Sequence, residues 1–531
     1  MAPQMQRISF LVLMLISKSF EMKNILNKQN YILTLFLFIV VIFTTSCELD
    51  EEPIFLDDSI YDSVTTAESA RDGIYEGLTN YDAQERRYFI ANGFTGTFGT
   101  GRGGNNVTNL YNRTLMSLKP TADTDNDKLW ERLYRTISRC NAAINNVTTG
   151  SRIELNDVAG HGYFMRAWTY YYLVRLYGDV PLWTELPSST NFSLPLSPEK
   201  DIYTQIISDA KMAQDLMNGS AGTGYPTRTA ADMLLAKVYM TLATSSSLKE
   251  DGISESDYWQ MAYDEAIKVY GKHSLVANFE DLFDSRKPEN TAESIFELQI
   301  SEAANNSQMG RNYTPFKFKT GMHFGWFSVM ASVYDYHVAT YPGDNRIDGT
   351  YLTTWNRADN GNVVNVYPNR SRNNFRNAHP YFKKFAEKEP SHANQFNDQN
   401  IIIYRYAELL LMLAEISNEL GLDTEKMTYL NEVLDRAGVA ARPEYAQGKE
   451  AFRNAIMDEY KFEVLGEGED FHHNRRRGFN YFLTHTIKRH NDLIGTAHYV
   501  SNRDLTLSED ESQVMKIPLS KLEIDTNEYI D

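Results

Sequence analysis

Aromatic rings and hydrogen-bonding side chains are concentrated in two segments that could bind a ligand with a flat face. In the first, residues 311–326, the rings lack the spacing of two or 3.6 residues that a buried strand or helix would show. An aromatic ring can pack on the apolar face of a sugar, while amides, guanidinium groups and hydroxyls bind its hydroxyl groups. We select four candidate ligand-binding residues here: Arg311, Tyr313, Phe324 and Trp326. Packing in the core is the alternative for each ring.

The second segment, residues 93–111, combines glycines with aromatic and polar side chains. Glycines at positions 99, 101, 103 and 104 would allow exposed backbone amides. The candidate ligand-binding residues of this segment are Phe98, Arg102, Asn106 and Tyr111. A disordered loop is the alternative.

Three acids could be considered for catalysis. Glu459, Glu463 and Glu467 are spaced four residues apart, which places them on one helical face. Paired carboxylates serve glycoside hydrolysis when their separation and pKa values suit it. Acids at helical spacing more often form a solvated face or bind Lys and Arg, so we predict no catalytic residue.

Metal and cofactor motifs are lacking in the sequence. Asp123, Asp125 and Asp127 imitate the start of an EF-hand loop, but Lys128 occupies the glycine position and Tyr134 the position of the last glutamate. Neither an HExxH nor a CxxC motif occurs, and the glycines near residue 99 follow no apolar strand. We therefore predict no metal and no cofactor.

Apolar residues that recur every three or four residues predict a mainly helical chain. Two helices are predicted at 161–177 and 404–420, ended by Gly178 and Gly421, with Arg405 paired locally to Glu408 and Glu415. Further helices are expected to begin near Thr66, Leu129, Pro198, Thr229, Tyr258 and Phe452. Short strands are predicted at 294–300 and 401–404, and long loops at 93–119 and 305–327.

The helices predict an all-α fold with a few short strands. The stretches 161–177 and 199–217, then 229–243 and 258–270, indicate helical pairs of tetratricopeptide type. No Pro/Gly/Ser linker divides residues 61–531, so we expect a single body there.

The N-terminal segment has the pattern of a bacterial lipoprotein signal. Lys23 and Lys28 flank the start of an apolar run from Tyr31 to Phe43, and Cys47 is followed by an acidic stretch. We predict a signal peptide at 1–46, lipidation of Cys47 and a lipidated acidic tether at 47–60. Translation could also start at Met22, which would leave residues 1–21 untranslated. Ordinary secretion and an uncleaved signal anchor are the alternatives.

Charge and cysteine content exclude two classes of protein. The formal net charge of −18 argues against nucleic-acid binding, because phosphates need Lys and Arg. The chain has two cysteines, and acylation of Cys47 would leave Cys140 alone, which excludes a disulfide framework.

Several blocks of sequence resemble the SusD/RagB family. They come in the order of that family and are the stretches RAWTYYYLVRLYGDVPL (166–182), TAADMLLAKVYMTL (229–242), IIIYRYAELLLMLAE (401–415), NEVLDRAG (431–438) and IPLSKLEIDTNEYI (517–530). The resemblance implies an all-α fold around four tetratricopeptide-like pairs packed with a loop-rich, ligand-binding part, and no catalysis. It also implies a lipid anchor in the outer membrane, a glycan ligand and a SusC-like TonB-dependent transporter as partner.

The leading hypothesis is a surface-exposed outer-membrane lipoprotein that binds an oligosaccharide or polysaccharide and delivers it to that transporter. One alternative is an α-helical envelope glycoside hydrolase or lyase. Another is a scaffold lipoprotein that binds no glycan.

Overall fold

The computed structural model of the protein describes most residues from position 61 onward. The described residues are 61, 63–79, 81–100, 110–122, 124–147, 149–150, 152–187, 193–300, 309–321, 323–367, 379–389, 399–496 and 505–527. All of them belong to one compact unit, which spans Ser59–Asp531.

Helices are the main elements of the described chain, and we number them in order. They are α1 Val64–Thr79, α2 Tyr81–Gly93, α3 Leu110–Met116, α4 Thr124–Asn146, α5 Ile153–Tyr177, α6 Glu199–Leu216, α7 Arg228–Thr244, α8 Glu255–Ala266, α9 Met309–Tyr313, α10 Ala331–Thr340, α11 Asn345–Thr350, α12 Tyr406–Leu420, α13 Asp423–Ala437, α14 Lys449–Val464, α15 Asp470–Arg476, α16 Phe479–Phe482, α17 Arg489–Asn491, α18 Glu511–Val514 and α19 Lys521–Asn527. Short 3₁₀ turns lie at Phe279–Phe283 and Pro443–Ala446, and a π-helical turn lies at Leu483–Lys488.

The strands are short and form two-stranded antiparallel pairs. They are β1 Phe98–Thr100, β2 Val180–Pro181, β3 Leu196–Ser197, β4 Ser294–Leu298, β5 Phe327–Val329, β6 Tyr351–Leu352, β7 Thr354–Asn356, β8 Val363–Asn365, β9 Tyr381–Phe382 and β10 Ile401–Arg405. The pairs are β1 with β5, β2 with β3, β4 with β10, β6 with β9 and β7 with β8. The strands predicted at 294–300 and 401–404 are confirmed.

Neighbouring helices pack as pairs, which confirms the predicted all-α fold class. The largest contacts join α5 with α6, α7 with α8, α12 with α13 and α4 with α5. A buried ion pair holds α5 to α6, since the Arg166 guanidinium donates to both carboxylate oxygens of Asp209 at 2.8 and 2.7 Å. Bidentate geometry of this kind fixes the orientation of two elements as well as their distance.

Helix α5 is longer than the sequence predicted. It begins at Ile153 rather than at His161, and its residues are almost all buried from Leu155 onward. A helix buried all round shows little amphipathic contrast, so its first turns carried no periodic signal. The helix ends as predicted at Gly178, whose φ of +86° is available to glycine without strain.

Two long loops were predicted where the structure has short regular elements. The stretch 93–119 contains β1 and α3, and the stretch 305–327 contains α9. These elements have three to seven residues, too few to establish a period in the sequence.

The predicted local pairing of Arg405 with Glu408 and Glu415 is wrong. Arg405 ends β10 and points its guanidinium to Glu293, Glu463 and Glu467. The two glutamates of α12 bind other cations: Glu408 contacts Lys237 and His473, and Glu415 contacts Arg476 and Arg477.

Candidate functional site

The segment between α9 and β5 folds back along α9 and places two aromatic rings side by side. The amides of Phe324 and Gly325 donate to the carbonyl of Arg311 at 2.7 and 3.3 Å, and the amide of Trp326 donates to the carbonyl of Asn312 at 2.8 Å. These bonds fix the backbone of Phe324 and Trp326 against the helix. The two side chains, two residues apart, therefore emerge on the same side of the segment.

Phe324, Trp326 and Arg311 form a stacked group that we call the ring platform. The rings of Phe324 and Trp326 are stacked, with centroids 4.8 Å apart and planes inclined by 11°. The Arg311 guanidinium carbon lies 4.8 Å from the centroid of Phe324. All three side chains are only half-buried. The part of the two rings that stays exposed offers apolar surface beside a cation with several hydrogen-bond donors, a combination that suits a sugar ring.

A glycine between the two rings is required by the local geometry. Gly325 has a φ of +56°, and a Cβ atom built there would lie 2.9 Å from a ring carbon of Tyr381 and 3.2 Å from the carbonyl oxygen of Thr314. The backbone conformation that stacks the two rings is therefore available to glycine alone without displacement of neighbours.

Further aromatic surface comes from the same segment and from the β7–β8 hairpin. Phe316 is 42% exposed, and Phe318 and Trp355 are half-buried against a small apolar cluster formed by Leu352, Val366 and Tyr381. Trp355 was missed by sequence reasoning. It is a single ring in a three-residue strand, and the only signal was its position shortly before the turn at 358–360.

Two of the predicted binding residues are core residues instead. Phe98 and Tyr313 have no exposed surface and meet edge to face, with ring centroids 6.0 Å apart. The hydroxyl of Tyr313 accepts from Asn92 at 3.0 Å and donates to the carbonyl of Tyr88 at 3.2 Å. The core-packing alternative therefore describes both residues, and we correct their assignment.

The remaining predicted residues lie wholly or partly outside the described part of the chain. Cys47, Arg102 and Asn106 are outside the described residues. Tyr111 belongs to α3, but its side chain is not among those described. These four assignments stay predictions.

The three acids considered for catalysis are not a solvated face. Glu459, Glu463 and Glu467 are buried together with three arginines in what we call the acid–arginine cluster, completed by Arg346, Arg405 and Arg436. Arg346 donates to Glu459 at 2.6 Å and to Glu463 at 3.1 Å. The alternative that these acids bind Lys or Arg is confirmed.

Electrostatics make Glu463 a poor proton donor. Burial by itself raises the pKa of Glu463, but the guanidinium groups of Arg436, Arg405 and Arg346 outweigh burial and hold this pKa well below its ordinary value. A general acid for glycoside hydrolysis needs a raised pKa. Glu463 thus serves as a permanent counter-charge within the fold.

The described part of the chain contains neither a metal-ligand cluster nor a helix suited to cross a membrane. No group of three or more His, Cys, Asp or Glu residues there could hold a metal ion. None of the helices among those residues has the length and apolar character needed to span a bilayer.

Packed helical pairs that carry a loop-built aromatic surface define a class of all-α protein, and comparison with known proteins identifies the family. The SusD family model matches residues 240–531, more than half of the chain. A second family model, described as "Starch-binding associating with outer membrane", matches residues 55–240. The chain belongs to the SusD family.

Known relatives cover most of the chain at low sequence identity. SusD-like protein P2 of Formosa agariphila is 24% identical over 510 residues, covering 88% of this chain and 95% of the relative. The solved SusD homolog from Bacteroides thetaiotaomicron has a TM-score of 0.70 and 19% identity, covering 87% of this chain and 95% of that one. Surface glycan-binding protein A from Bacteroides uniformis has a TM-score of 0.66 and 19% identity, covering 88% and 98%. The two structures show that the fold is shared.

Proposed function

We propose that this protein binds an oligosaccharide or polysaccharide on the ring platform and delivers it to a SusC-like TonB-dependent transporter of the outer membrane. The observation that carries the proposal is the stacked, half-exposed pair Phe324 and Trp326 with Arg311 beside it. Family membership supports it, since one matching family model is described as starch-binding and one structural relative as a surface glycan-binding protein.

A binding titration of the purified protein against a panel of polysaccharides tests the first step. We expect at least one polysaccharide to bind, and we expect Trp326→Ala to weaken that binding at least about tenfold, which is about 1.4 kcal/mol. The matched control is Trp183→Ala, another half-buried tryptophan that belongs to no part of the platform. Unchanged affinity of the Trp326→Ala protein would remove the platform from the proposal.

Product analysis in the same titration separates binding from catalysis. We propose a non-enzymatic role, so the amount of reducing ends should stay constant during prolonged incubation with the bound polysaccharide. New reducing ends would favour the glycoside hydrolase alternative, and new unsaturated ends would favour a lyase.

The lipid anchor is proposed from the sequence, with Cys47 as the acylated residue and residues 61–531 as one body. Metabolic labelling with palmitate should label the wild-type protein but not Cys47→Ser. Cys140→Ser is the matched control and should keep the label, because Cys140 is buried within α4. Label retained on Cys47→Ser would contradict the anchor.

The transporter partnership predicts co-purification from outer membranes. The protein should be recovered with a TonB-dependent barrel, and protease added to intact cells should degrade it if it lies on the surface. Association without any glycan binding would favour the scaffold alternative.

A further inference from the structure

A second candidate site lies in the helical part of the molecule and shares no residue with the ring platform. It is a cavity of about 370 Å³ between α5, α6, α7, α15 and the segment around α18. Pockets for small molecules usually enclose about 300–1,000 Å³, so the cavity is large enough for a small ligand.

Two residues that line the cavity each have a buried side-chain nitrogen without a partner. Nη2 of Arg175 and Nε2 of His472 have no hydrogen-bond partner in the part of the chain that the structure describes. Arg175 is 8% exposed and His472 is 6% exposed. Buried polar atoms are almost always hydrogen-bonded, and exceptions point to a functional group or to a bound species.

The unpartnered nitrogen of Arg175 belongs to a side chain that is otherwise well held. Its Nε donates to the carbonyl of Tyr171 at 2.9 Å, and its Nη1 donates to Glu469 at 3.1 Å. The guanidinium plane is therefore fixed, with one nitrogen left to donate. A planar, fixed guanidinium group is well suited to bind an oxyanion.

Arg475 adds a positive charge that no described carboxylate binds directly. Its Nε donates to the carbonyl of Val514 at 2.7 Å and its Nη1 to that of Phe471 at 3.2 Å, and Nη2 bonds the carbonyl of Phe94. Arg475 takes part in no ion pair among the described residues, although its neighbour Arg476 is bound by Glu415. Carbonyl oxygens satisfy hydrogen bonds but supply no net negative charge, so an anion in the cavity would balance Arg475.

Two lysines of the wall are already compensated, and Glu511 adds an exposed carboxylate to the wall. Lys237 contacts Glu469 at 2.9 Å and also contacts Glu408, and Lys516 contacts Glu199 at 3.2 Å. Residues that carry hydroxyl groups also line the cavity, among them Tyr203, Thr241, Thr244 and Ser245. Hydroxyls both donate and accept, so they can bind a polyhydroxylated molecule in more than one orientation.

We propose that this cavity binds a small hydroxylated organic acid whose oxyanion contacts Arg175 and Arg475 and whose hydroxyl groups contact His472 and the hydroxyl-bearing residues of the wall. The shared chemistry is an oxyanion on a molecule the size of a monosaccharide, supplied by a carboxylate or by a phosphate ester. The proposal does not depend on polysaccharide binding at the ring platform.

Calorimetric titration of the purified protein with four probes tests the ligand chemistry. Glucuronate supplies the carboxylate, glucose 6-phosphate supplies the phosphate, glucose supplies neither, and acetate supplies the oxyanion without hydroxyls. We expect glucuronate or glucose 6-phosphate to bind at least tenfold more tightly than both glucose and acetate. The tighter of the two acids shows whether the oxyanion is a carboxylate or a phosphate ester. Equal affinity for glucose, or no binding of either acid, overturns the proposal.

The substitution His472→Phe tests the location of the site. It removes an atom that makes no hydrogen bond in the described structure, so the melting temperature should be unchanged or higher. Affinity for the preferred acid should fall at least tenfold. The matched control is His485→Phe, the same change at a half-buried histidine that is stacked on Tyr481 and does not line the cavity.

A steric variant covers the case in which His472→Phe does not fold. Thr244→Trp places a large ring at the end of α7, where Thr244 is half-buried and lines the cavity. We expect this folded variant to bind the preferred acid at least tenfold more weakly. Wild-type affinity in Thr244→Trp places the acid elsewhere and overturns the assignment.

Discussion

The acid–arginine cluster consists of charged side chains and the ring platform of two aromatic rings with one arginine, and the two regions differ in their exposure to solvent. In the cluster, the carboxylates of Glu459 and Glu463 have no exposed surface, and arginines from other elements bind both. In the platform, Phe324 and Trp326 leave part of their ring surface in solvent. Side chains that are buried and paired within the fold stabilise it, whereas side chains with exposed surface are available to a ligand.

Glu463→Gln should have the largest effect of the changes considered, because it leaves buried arginines without their counter-charge. Arg346, Arg405 and Arg436 all contact Glu463. Removing one partner of a buried ion pair typically costs about 3–5 kcal/mol in the free energy of unfolding. Urea denaturation followed by circular dichroism measures the loss.

The matched control for that change is Glu131→Gln. Glu131 pairs with Arg135 on the exposed side of α4, with side chains 49% and 47% exposed. Exposed pairs contribute little, so this variant should unfold close to the wild-type urea concentration. Equal losses in the two variants would show that the cluster does not have the stabilising role inferred here.

Asp470 is buried like Glu463, but it lacks the arginines that bind Glu463. Burial raises the pKa of Asp470 from 3.8 to about 7, although Lys384 opposes the shift. The folded protein therefore binds one more proton than the unfolded chain between those values, and stability falls as the pH rises from about 4 to about 7. The expected loss is on the order of 2–4 kcal/mol across that window.

Asp470→Asn should remove this part of the pH dependence, since an amide resembles the protonated carboxyl. Unfolding free energies measured at several pH values from 4 to 8 should decline less steeply than in the wild type. Asp264→Asn changes an exposed residue of α8, and its profile should follow the wild type. An unaltered slope in Asp470→Asn would mean that Asp470 is already ionised at low pH.

The helical body was more predictable from the sequence than either region, and the reason is the range of the interactions. Helix α12 and the strands β4 and β10 arise from local patterns, and all three were predicted near their observed bounds, although the pairing of the two strands was not predicted. Helical spacing also showed that Glu459 and Glu463 share a face. It could not show what that face meets, because Arg346 and Arg405 lie far away in the sequence.

The site was less predictable, because ring composition alone does not distinguish core from surface. Tyr313 and Phe324 lie in one aromatic segment, yet Tyr313 is fully buried and Phe324 is half-buried. The difference arises when the chain turns back along α9, which depends on Gly325. The cavity could not be predicted from any local sequence pattern, because its wall combines residues from Tyr171 to Lys516.

Gly325→Ala should disturb the platform while leaving its rings in the sequence. Alanine at this position would have to adopt a φ near +56°, and its Cβ atom would lie 2.9 Å from a ring carbon of Tyr381. We expect a loss of about 1–3 kcal/mol in the free energy of unfolding, together with weaker polysaccharide binding. The control is Gly343→Ala, which has a φ of +85° but no atom within 4 Å of the added Cβ. Equal effects would mean that backbone strain alone, rather than crowding beside the rings, accounts for the loss.

Arg311 should contribute the smallest of these effects, because its guanidinium lies on one face of Phe324 at a half-exposed position. Cation–π contacts at such positions are worth about 0.5–1 kcal/mol, or about two- to fivefold in affinity. Arg311→Ala should therefore weaken polysaccharide binding by about that factor, and Arg311→Lys should weaken it less if charge above the ring is what matters. The control Arg135→Lys changes an exposed arginine of α4 and should leave affinity unchanged. Equal losses for Arg311→Lys and Arg311→Ala would instead assign the effect to the planar hydrogen-bonding geometry of arginine, which lysine lacks.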